Sequence, residues 1–257
     1  MLRTIWTSKT GLNAQQVKLD TISNNLANSG TMGYKRVDVG FKDLLNESLD
    51  RKGYPVNDKD ASMGTGVKTT EFYRDNAQGF LTDTGLPTDL SIDGEGYFRL
   101  VQPDGSYVYT RDGAFQVDSM GRLVDTRGNK VYIEYINGRN EQNTTLNARN
   151  LLIDTKGGVY NKEGDTFIKV GNIPLYTAVG TSAFQSVGDN LFIPAEDANV
   201  QVSINAEMYQ GFLEGSNVDV ATEFTDMIVT QRAFQLSTKA MESADEMWGM
   251  INNMRAR

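Results

Sequence analysis

Neither cysteine nor histidine occurs among the 257 residues of this chain. The absence of cysteine excludes disulfides, thiol nucleophiles and thiolate metal sites. The absence of histidine excludes Ser-His-Asp and Cys-His catalysis, histidine-bound metals and histidine proton shuttles. An enzyme built from this chain would therefore have to use carboxylates, lysine, tyrosine, serine or threonine.

An excess of positive charge and a long apolar run are missing as well. The chain has 25 basic and 33 acidic residues, which gives a formal net charge of −8. Because binding to phosphate backbones requires a basic face, we expect no nucleic-acid partner. No run of about 18 apolar residues occurs, so no membrane-spanning helix is predicted. The N-terminus also lacks the apolar core and cleavage site of a signal peptide.

Apolar side chains recur every seven residues at both ends of the chain. The N-terminal repeat predicts a helix over residues 3–28, and the C-terminal repeat predicts a helix of about 35 residues after a cap at Asn217 or Asp219. A sustained seven-residue repeat favours coiled-coil packing on another helix. The residues of the two stripes are Ile5, Leu12, Leu19, Ile22 and Leu26, and Val220, Phe224, Met227, Phe234, Met241 and Trp248.

The two predicted helices carry opposite net charge. Residues 1–36 contain five basic residues and one acidic residue, whereas residues 211–257 contain seven acidic and four basic residues. Complementary charge sets the partner and register of a contact more than its affinity. We therefore expect the two helices to pair, either within one subunit or between subunits.

The middle of the chain, residues 72–206, has the pattern of short β-strands separated by turns. The segments 97–101 and 107–110 are rich in aromatic and β-branched residues and flank the turn sequence Pro103-Asp104-Gly105-Ser106, which predicts a hairpin. Further strands are predicted at 130–136, 151–154 and 166–170. The fold class predicted is therefore α+β, with paired terminal coiled-coil helices and a central, mostly antiparallel β domain.

Residues 37–71 have a mixed pattern. The apolar residues Phe41, Leu44, Leu45 and Leu49 allow a short helix. The polar run 51–68 that follows is predicted to be a loop or an extended linker.

Three segments resemble the signature sequences of the flagellar basal-body rod and hook proteins. The first comprises Thr10–Gln16, Leu19–Asn28 and Gly33–Arg36; the second is the C-terminal stretch Gln210–Val220 with Met227, Ile228, Gln231–Phe234 and Lys239-Ala240. The central segments Asp89–Phe98 and Tyr109–Phe115 also resemble the pattern of this family. The resemblance covers most of the chain in the expected order, and the chain length is most similar to that of the distal rod subunit.

The resemblance implies a non-enzymatic subunit without cofactors. Such a subunit is exported through the flagellar type III apparatus and polymerises helically into the drive shaft, which crosses the periplasm and cell wall. The implied partners are further copies of the chain, other rod and hook proteins, the export apparatus and the bushing rings where the envelope has them; no nucleic acid and no small-molecule substrate are expected. Proximal rod or hook protein remains the alternative within the family.

In this interpretation the chain has four parts. Residues 1–33 and 207–257 form the inner helical layer of the rod, 34–71 an extended locking segment, and 72–206 the central β domain. We expect the two apolar stripes to form the assembly interface. We add Asn24, Asn25 and Asn28, whose amides can cap the first helix or bind the backbone of a neighbouring subunit.

Two hypotheses from other classes remain open on the sequence alone. Asp89, Asp93 and Glu95 could serve as the carboxylates of a cell-wall glycan-cleaving enzyme. A secreted adhesin on a coiled-coil stalk would form a closed oligomer rather than an open helix. The segment 93–96 resembles a phosphate-binding loop only superficially, because it lacks the G-x-G-x-x-G spacing and no helix follows; we expect a turn there.

Overall fold

The structure, a computed structural model, describes residues 2–44, 46–48, 62–136, 138–178, 180, 183–196 and 198–255. Its two helices are α1, Leu2–Ala27, and α2, Val220–Arg255, which confirms both helix predictions to within two residues. Asp219 caps α2: its carboxylate accepts a hydrogen bond from the backbone N–H of Ala221 at 3.0 Å and another from the Thr222 hydroxyl at 2.7 Å. Such a cap stabilises the first turn of the helix, because it satisfies a backbone N–H that has no partner within the helix.

Short strands make up most of the remaining described structure, and most of them pair antiparallel with their neighbours. The strands are β1 Val37–Asp43, β2 Asn46–Ser48, β3 Ser62–Gly64, β4 Val67–Arg74, β5 Leu81–Asp83, β6 Leu90–Asp93, β7 Tyr97–Val101, β8 Tyr107–Thr110, β9 Gln116–Val117, β10 Leu123–Val124, β11 Lys130–Val131, β12 Glu134–Tyr135, β13 Leu151–Ile153, β14 Gly158–Glu163, β15 Thr166–Asn172, β16 Leu175–Ala178, β17 Phe184–Gly188, β18 Leu191–Pro194, β19 Val200–Val202, β20 Glu207–Gln210 and β21 Phe212–Glu214. The α+β class and the hairpin of β7 and β8 are thereby confirmed.

The chain divides into two compact units. The first comprises Met1–Ala27, Val37–Tyr73 and Asp219–Arg257, and the second comprises Asn28–Arg36 and Arg74–Val218. Residues 207–214, which the sequence analysis grouped with the C-terminal helix, form β20 and β21. These two strands pair with β6 and β5 in the second unit.

In the first unit α1 and α2 pack against each other, and strands β1 and β4 form a two-stranded sheet. The prediction of a short helix near Phe41 is wrong, because Phe41 lies in β1, whereas Leu45 and Leu49 lie outside the described residues. The linker predicted at 51–68 is also partly wrong, because β3 and the start of β4 fall within it; residues 51–61 of that linker lie outside the described residues. Within the described part of the chain, neither helix is long and apolar enough to cross a bilayer.

The second unit has a continuous apolar core beneath its largest sheet, which runs in the order β17-β18-β8-β7-β11-β10-β9. Phe98 and Phe115 are fully buried in this core, with their rings 5.2 Å apart and nearly perpendicular. Gly113 allows the chain to pass close to β6, since a Cβ at this position would lie 1.6 Å from the Leu90 carbonyl oxygen. The turn predicted at 93–96 is confirmed between β6 and β7.

One turn geometry recurs three times in this unit. In each copy an aspartate Oδ1 accepts hydrogen bonds from the backbone N–H groups two and four residues later, and a glycine three residues after the aspartate has a positive φ of 75° to 86°. Glycine adopts this conformation without the steric cost that a Cβ would add. The pairs are Asp118 with Gly121, Asp125 with Gly128, and Asp154 with Gly157.

Arg99 in β7 lies among four tyrosine rings. Its guanidinium carbon is 3.5 Å from the ring centre of Tyr176 and 5.0 to 5.5 Å from those of Tyr107, Tyr109 and Tyr132. Burial raises the pKa of Tyr176 to about 12. These cation–π contacts fix the aromatic face of the sheet around a single charge.

Candidate functional site

Three charged side chains meet in the interior of the second unit. The Glu214 carboxylate accepts hydrogen bonds from Lys35 Nζ at 2.6 Å and from Arg111 Nε at 2.5 Å. The side chains of all three residues are at most 4% exposed. Buried charges require such pairing, since an uncompensated buried ion is strongly destabilising. We call Lys35, Arg111 and Glu214 the charge cluster.

Backbone carbonyl groups accept hydrogen bonds from most of the remaining N–H donors of the charge cluster. Arg111 donates to the carbonyl oxygens of Ile92, Gly94 and Gly96, which lie in β6 and in the turn that follows it. Lys35 donates to the Ala77 carbonyl at 2.8 Å. The guanidinium thereby fixes the conformation of the turn between β6 and β7.

Close approach of two backbone segments places Glu214. Its Oε1 accepts a further hydrogen bond from the N–H of Gly79 at 2.9 Å. A Cβ on Gly79 would lie 2.1 Å from the Gly215 carbonyl oxygen, so only glycine fits there. Asn217 adds a second connection, because its side chain accepts from the Arg36 N–H and donates to the carbonyls of residues 75 and 77.

The pKa shifts in the cluster agree with two cations that share one carboxylate. Burial lowers the pKa of Lys35, although its hydrogen bond to Glu214 opposes this shift. Burial alone would raise the pKa of Glu214, but the charge of Arg111 and the hydrogen bonds from both cations outweigh it, so the pKa lies below its usual value. The lowered pKa of Glu214 keeps this carboxylate ionised next to the two cations.

Each member of the charge cluster comes from a different signature segment. Lys35 lies in Gly33–Arg36, Arg111 in Tyr109–Phe115 and Glu214 in Gln210–Val220. The sequence analysis did not select them. Each segment contains two charged residues, and nothing local indicates which of them is buried or that these three residues meet.

The apolar stripes predicted from the sequence lie in the first unit. Asn25 near the end of α1 is 3.3 Å from Glu223 near the start of α2, and Gly11 faces Ser237, so the two helices run antiparallel. The side chain of Ile22 is fully buried. Half-buried members of the stripes are Ile5, Leu12, Leu19, Leu26, Met227, Phe234, Met241 and Trp248.

Two predicted members of the α2 stripe, Val220 and Phe224, are instead exposed. They belong to a larger set of exposed apolar residues on α2, which we call the outer apolar face. The other members are Ile228, Val229, Leu236, Met247, Met250 and Met254, and the exposed fractions of the whole set range from 40% to 72%. A large exposed apolar patch marks an interaction surface.

The predicted asparagines have three different environments. The Asn25 side chain is buried; it donates to the Val37 carbonyl at 2.8 Å and accepts from the Val37 N–H at 3.0 Å, as a β-strand partner would. Asn28 is half-buried and bonded to Thr31. Asn24 is exposed. The interactions of Asn25 that the structure shows are thus within the subunit.

The carboxylates of the enzyme hypothesis lie in different environments. Asp89 is buried and accepts a hydrogen bond from the Thr84 hydroxyl at 2.6 Å. Asp93 and Glu95 are exposed on the turn between β6 and β7. Among the residues that the structure describes, no cluster of three or more carboxylates could hold a metal ion.

Known protein families match both ends of the chain, and individual relatives match its whole length. Residues 5–35 match the family described as flagella basal body rod protein, and residues 209–254 match the family described as flagellar basal body rod FlgEFG protein C-terminal. The flagellar basal-body rod protein FlgG of Borreliella burgdorferi is 33% identical, with 99% of both chains covered. The chain belongs to the flagellar basal-body rod protein family. FlgG of Agrobacterium fabrum is 34% identical over 98% of both chains.

Membership of this family confirms the resemblance found in the sequence. The chain is a structural subunit of the flagellar basal-body rod and not an enzyme, and its place is the basal body of the flagellum. The glycan-cleaving alternative is not favoured. A further relative, the flagellar hook-basal body complex protein FlhP of Bacillus subtilis, is 30% identical over 99% of this chain and 100% of its own length.

Proposed function

We propose that the subunit polymerises helically into the distal part of the rod, the shaft that transmits torque from motor to hook. The observation that carries this proposal is the outer apolar face, which α1 does not cover. An interface between unlike surfaces that does not close into a ring generates a helical filament. Repeated helix contacts of this kind distribute torque over many small interactions.

In this proposal the predicted interface residues divide into two groups. The half-buried stripe residues hold α1 and α2 together within a subunit, and their seven-residue spacing supports coiled-coil packing. Val220 and Phe224, with the rest of the outer apolar face, contact neighbouring subunits. Of the predicted asparagines, Asn24 is the one whose exposed side chain supports a role between subunits.

The segment 34–71 acts as the locking element between neighbours. Support comes from the sheet formed by β1 and β4, where the aromatic side chains of Phe41, within the segment, and Phe72, directly after it, are 44% and 59% exposed. Aromatic residues exposed on a two-stranded sheet are suited to packing on an adjacent subunit. Removal of these rings should therefore weaken the assembled rod more than the isolated subunit.

The partners in this proposal are other copies of the chain, other rod and hook proteins, the flagellar export apparatus and the bushing rings. Assignment to the distal rod is supported by the full-length similarity to proteins named FlgG. The similarity to FlhP keeps proximal rod or hook protein as the alternative role.

Replacement of Leu236 by lysine in the chromosomal gene tests the helical interface. Leu236 is 68% exposed on the outer apolar face, so we expect an unchanged fold but rods that are absent or shortened in electron micrographs of isolated basal bodies. A matched control is Phe167→Lys, which changes a 50% exposed residue of β15 in the other unit. Complete rods with Leu236→Lys, at normal cellular levels of the protein, would contradict the interface.

Deletion of the gene tests the subtype in the same assay. A distal subunit predicts truncated rods without hook or filament. A complete rod that lacks only the hook would instead assign the chain to the hook, and intact flagella would contradict an essential rod role.

A further inference from the structure

A cavity of about 250 Å³ opens beside the charge cluster in the second unit. Lys35, Arg74 and Arg111 line it, together with Glu95, Tyr97 and Phe184. Its volume is below the roughly 300–1,000 Å³ of sites for drug-sized molecules. The space is therefore suited to one small group or to the end of one side chain.

Arg74 contributes an unused guanidinium to this cavity. The side chain is half-buried and stacks on Phe192, with the guanidinium carbon 4.6 Å from the ring centre. In the described part of the chain, no carboxylate lies within 4 Å of its nitrogens and no acceptor takes a hydrogen bond from them. Burial lowers the pKa of Arg74, which reflects the cost of holding this charge without a counter-ion.

The other two cations also have donor capacity to spare. Lys35 uses two of its three N–H groups, on Glu214 and Ala77, and Arg111 uses four of its five. Of the residues whose acceptors bind them, Gly96 also lines the cavity. Among the described residues, one N–H group on each of these two lining side chains therefore has no acceptor.

The charged side chains around the cavity have a net positive charge. Glu214 neutralises one of the two buried cations next to it, so one positive charge remains there and Arg74 adds another. Glu95 offers one exposed negative charge on the lining and forms no ion pair with a described residue. A planar or tetrahedral oxyanion would receive both the charge and the donors that the cavity offers.

We propose that this cavity binds one oxyanion group, with Arg74 as its main ligand and Lys35 and Arg111 as supporting donors. The group is a carboxylate or a tetrahedral oxyanion such as sulfate or phosphate. The two chemistries share the guanidinium fork of Arg74, which binds either of them in a bidentate manner. Phe192 keeps this fork oriented, because stacking restricts the guanidinium to one plane.

Titration of the purified full-length chain with sodium sulfate and, separately, sodium acetate tests the proposal. Ionic strength is held constant with sodium chloride, and the Nε–Hε NMR signals of the arginines report binding. We expect a saturable shift of the Arg74 signal with at least one of the two anions. Saturation by sulfate alone identifies a tetrahedral oxyanion as the ligand, whereas saturation by acetate identifies a carboxylate.

Two variants make the test specific. Arg74→Met keeps most of the apolar stem and removes the fork, so we expect affinity to fall about tenfold or more, since a charge-assisted hydrogen bond contributes roughly 1.5–3 kcal/mol. In this variant the Arg111 signal reports binding. Arg149→Met, which removes an exposed arginine of the same unit, should leave affinity unchanged.

Several results would overturn the proposal. They are the absence of a saturable shift with either anion, equal affinity in Arg74→Met and the unmodified chain, and an equal loss in Arg149→Met. Because Arg74→Met could disturb the fold, Arg74→Lys serves as a second variant. It keeps the charge but loses the fork, and unchanged affinity there would show that the geometry of Arg74 is irrelevant.

Discussion

Replacement of Glu214 by glutamine removes the only negative charge from the charge cluster and leaves the side-chain shape almost unchanged. The carboxylate accepts from Lys35, Arg111 and Gly79 at 2.6, 2.5 and 2.9 Å. In the variant two cations remain buried, and the new amide N–H₂ group faces at least one donor. We expect the second unit to be strongly destabilised.

The magnitude follows from two limits. Hydrogen bonds to charged groups contribute roughly 1.5–3 kcal/mol each, so three of them give an upper limit of about 9 kcal/mol. Relaxation lowers this figure, and breaking a buried ion pair typically costs about 3–5 kcal/mol. We expect a loss of about 3–5 kcal/mol in the free energy of unfolding, which is a large fraction of the 5–15 kcal/mol typical of proteins.

Urea unfolding followed by far-UV circular dichroism measures this loss. Both tryptophans, Trp6 and Trp248, belong to the first unit, so tryptophan fluorescence in the same samples reports that unit separately. The matched control is Glu163→Gln, which breaks the exposed ion pair with Arg139 and should leave stability nearly unchanged, because solvent screens such a pair.

The double variant Lys35→Met, Glu214→Gln identifies the cause. If an uncompensated charge destabilises Glu214→Gln, then removal of one cation should restore about 1 kcal/mol or more, since contacting residues couple by about 0.5–3 kcal/mol. A loss below about 1 kcal/mol in Glu214→Gln, or no recovery in the double variant, would refute the electrostatic reasoning.

The same electrostatic reasoning predicts how the free energy of unfolding changes with pH. Because the pKa of folded Glu214 lies below the usual 4.5, its contribution to stability is complete above that value and disappears as the pH falls through the folded pKa. The acid limb of the stability curve should therefore be shallower in Glu214→Gln than in the unmodified chain.

Two further predictions concern the β domain. Gly113→Ala should leave little folded soluble protein, because its Cβ would lie 1.6 Å from a backbone oxygen. Gly105→Ala has no atom within 4 Å of its Cβ and should cost only about 1–2 kcal/mol of backbone strain. Expression levels and thermal unfolding of the two variants test this difference. Tyr176 should titrate near pH 12 by ultraviolet absorbance at 295 nm, and stability should fall above about pH 10, where the unfolded tyrosine ionises first. A titration of every tyrosine near pH 10 in the folded chain would contradict the burial of Tyr176.

Features that depend on neighbouring residues were predictable from the sequence. The seven-residue repeats located α1 and α2, and the turn residues 103–106 located the hairpin of β7 and β8. The three aspartate–glycine turns were also within reach, since each glycine follows its aspartate at the same distance.

Features that depend on distant partners were not predictable. The apolar spacing around Phe41 fits a helix, but in the structure this residue belongs to β1, which pairs with β4, and such tertiary pairing overrides local preference. The charge cluster joins residues 179 and 103 positions apart, so no local pattern could reveal it. Of the outer apolar face, the predicted stripe included only Val220 and Phe224, because the rest of the stripe marks the side of α2 that packs on α1.

The separation of the charge cluster along the chain has a consequence for the order of folding. During synthesis from the N-terminus, Lys35 and Arg111 emerge long before Glu214, which comes 103 residues after Arg111. Contacts over such distances are made late, because the loop-closure entropy must first be overcome. The second unit thus stays incomplete, with two uncompensated cations, until nearly the whole chain is available. Because the second unit cannot complete its fold before its last strand, β21, is available, the growing polypeptide stays unfolded enough to pass through a narrow channel.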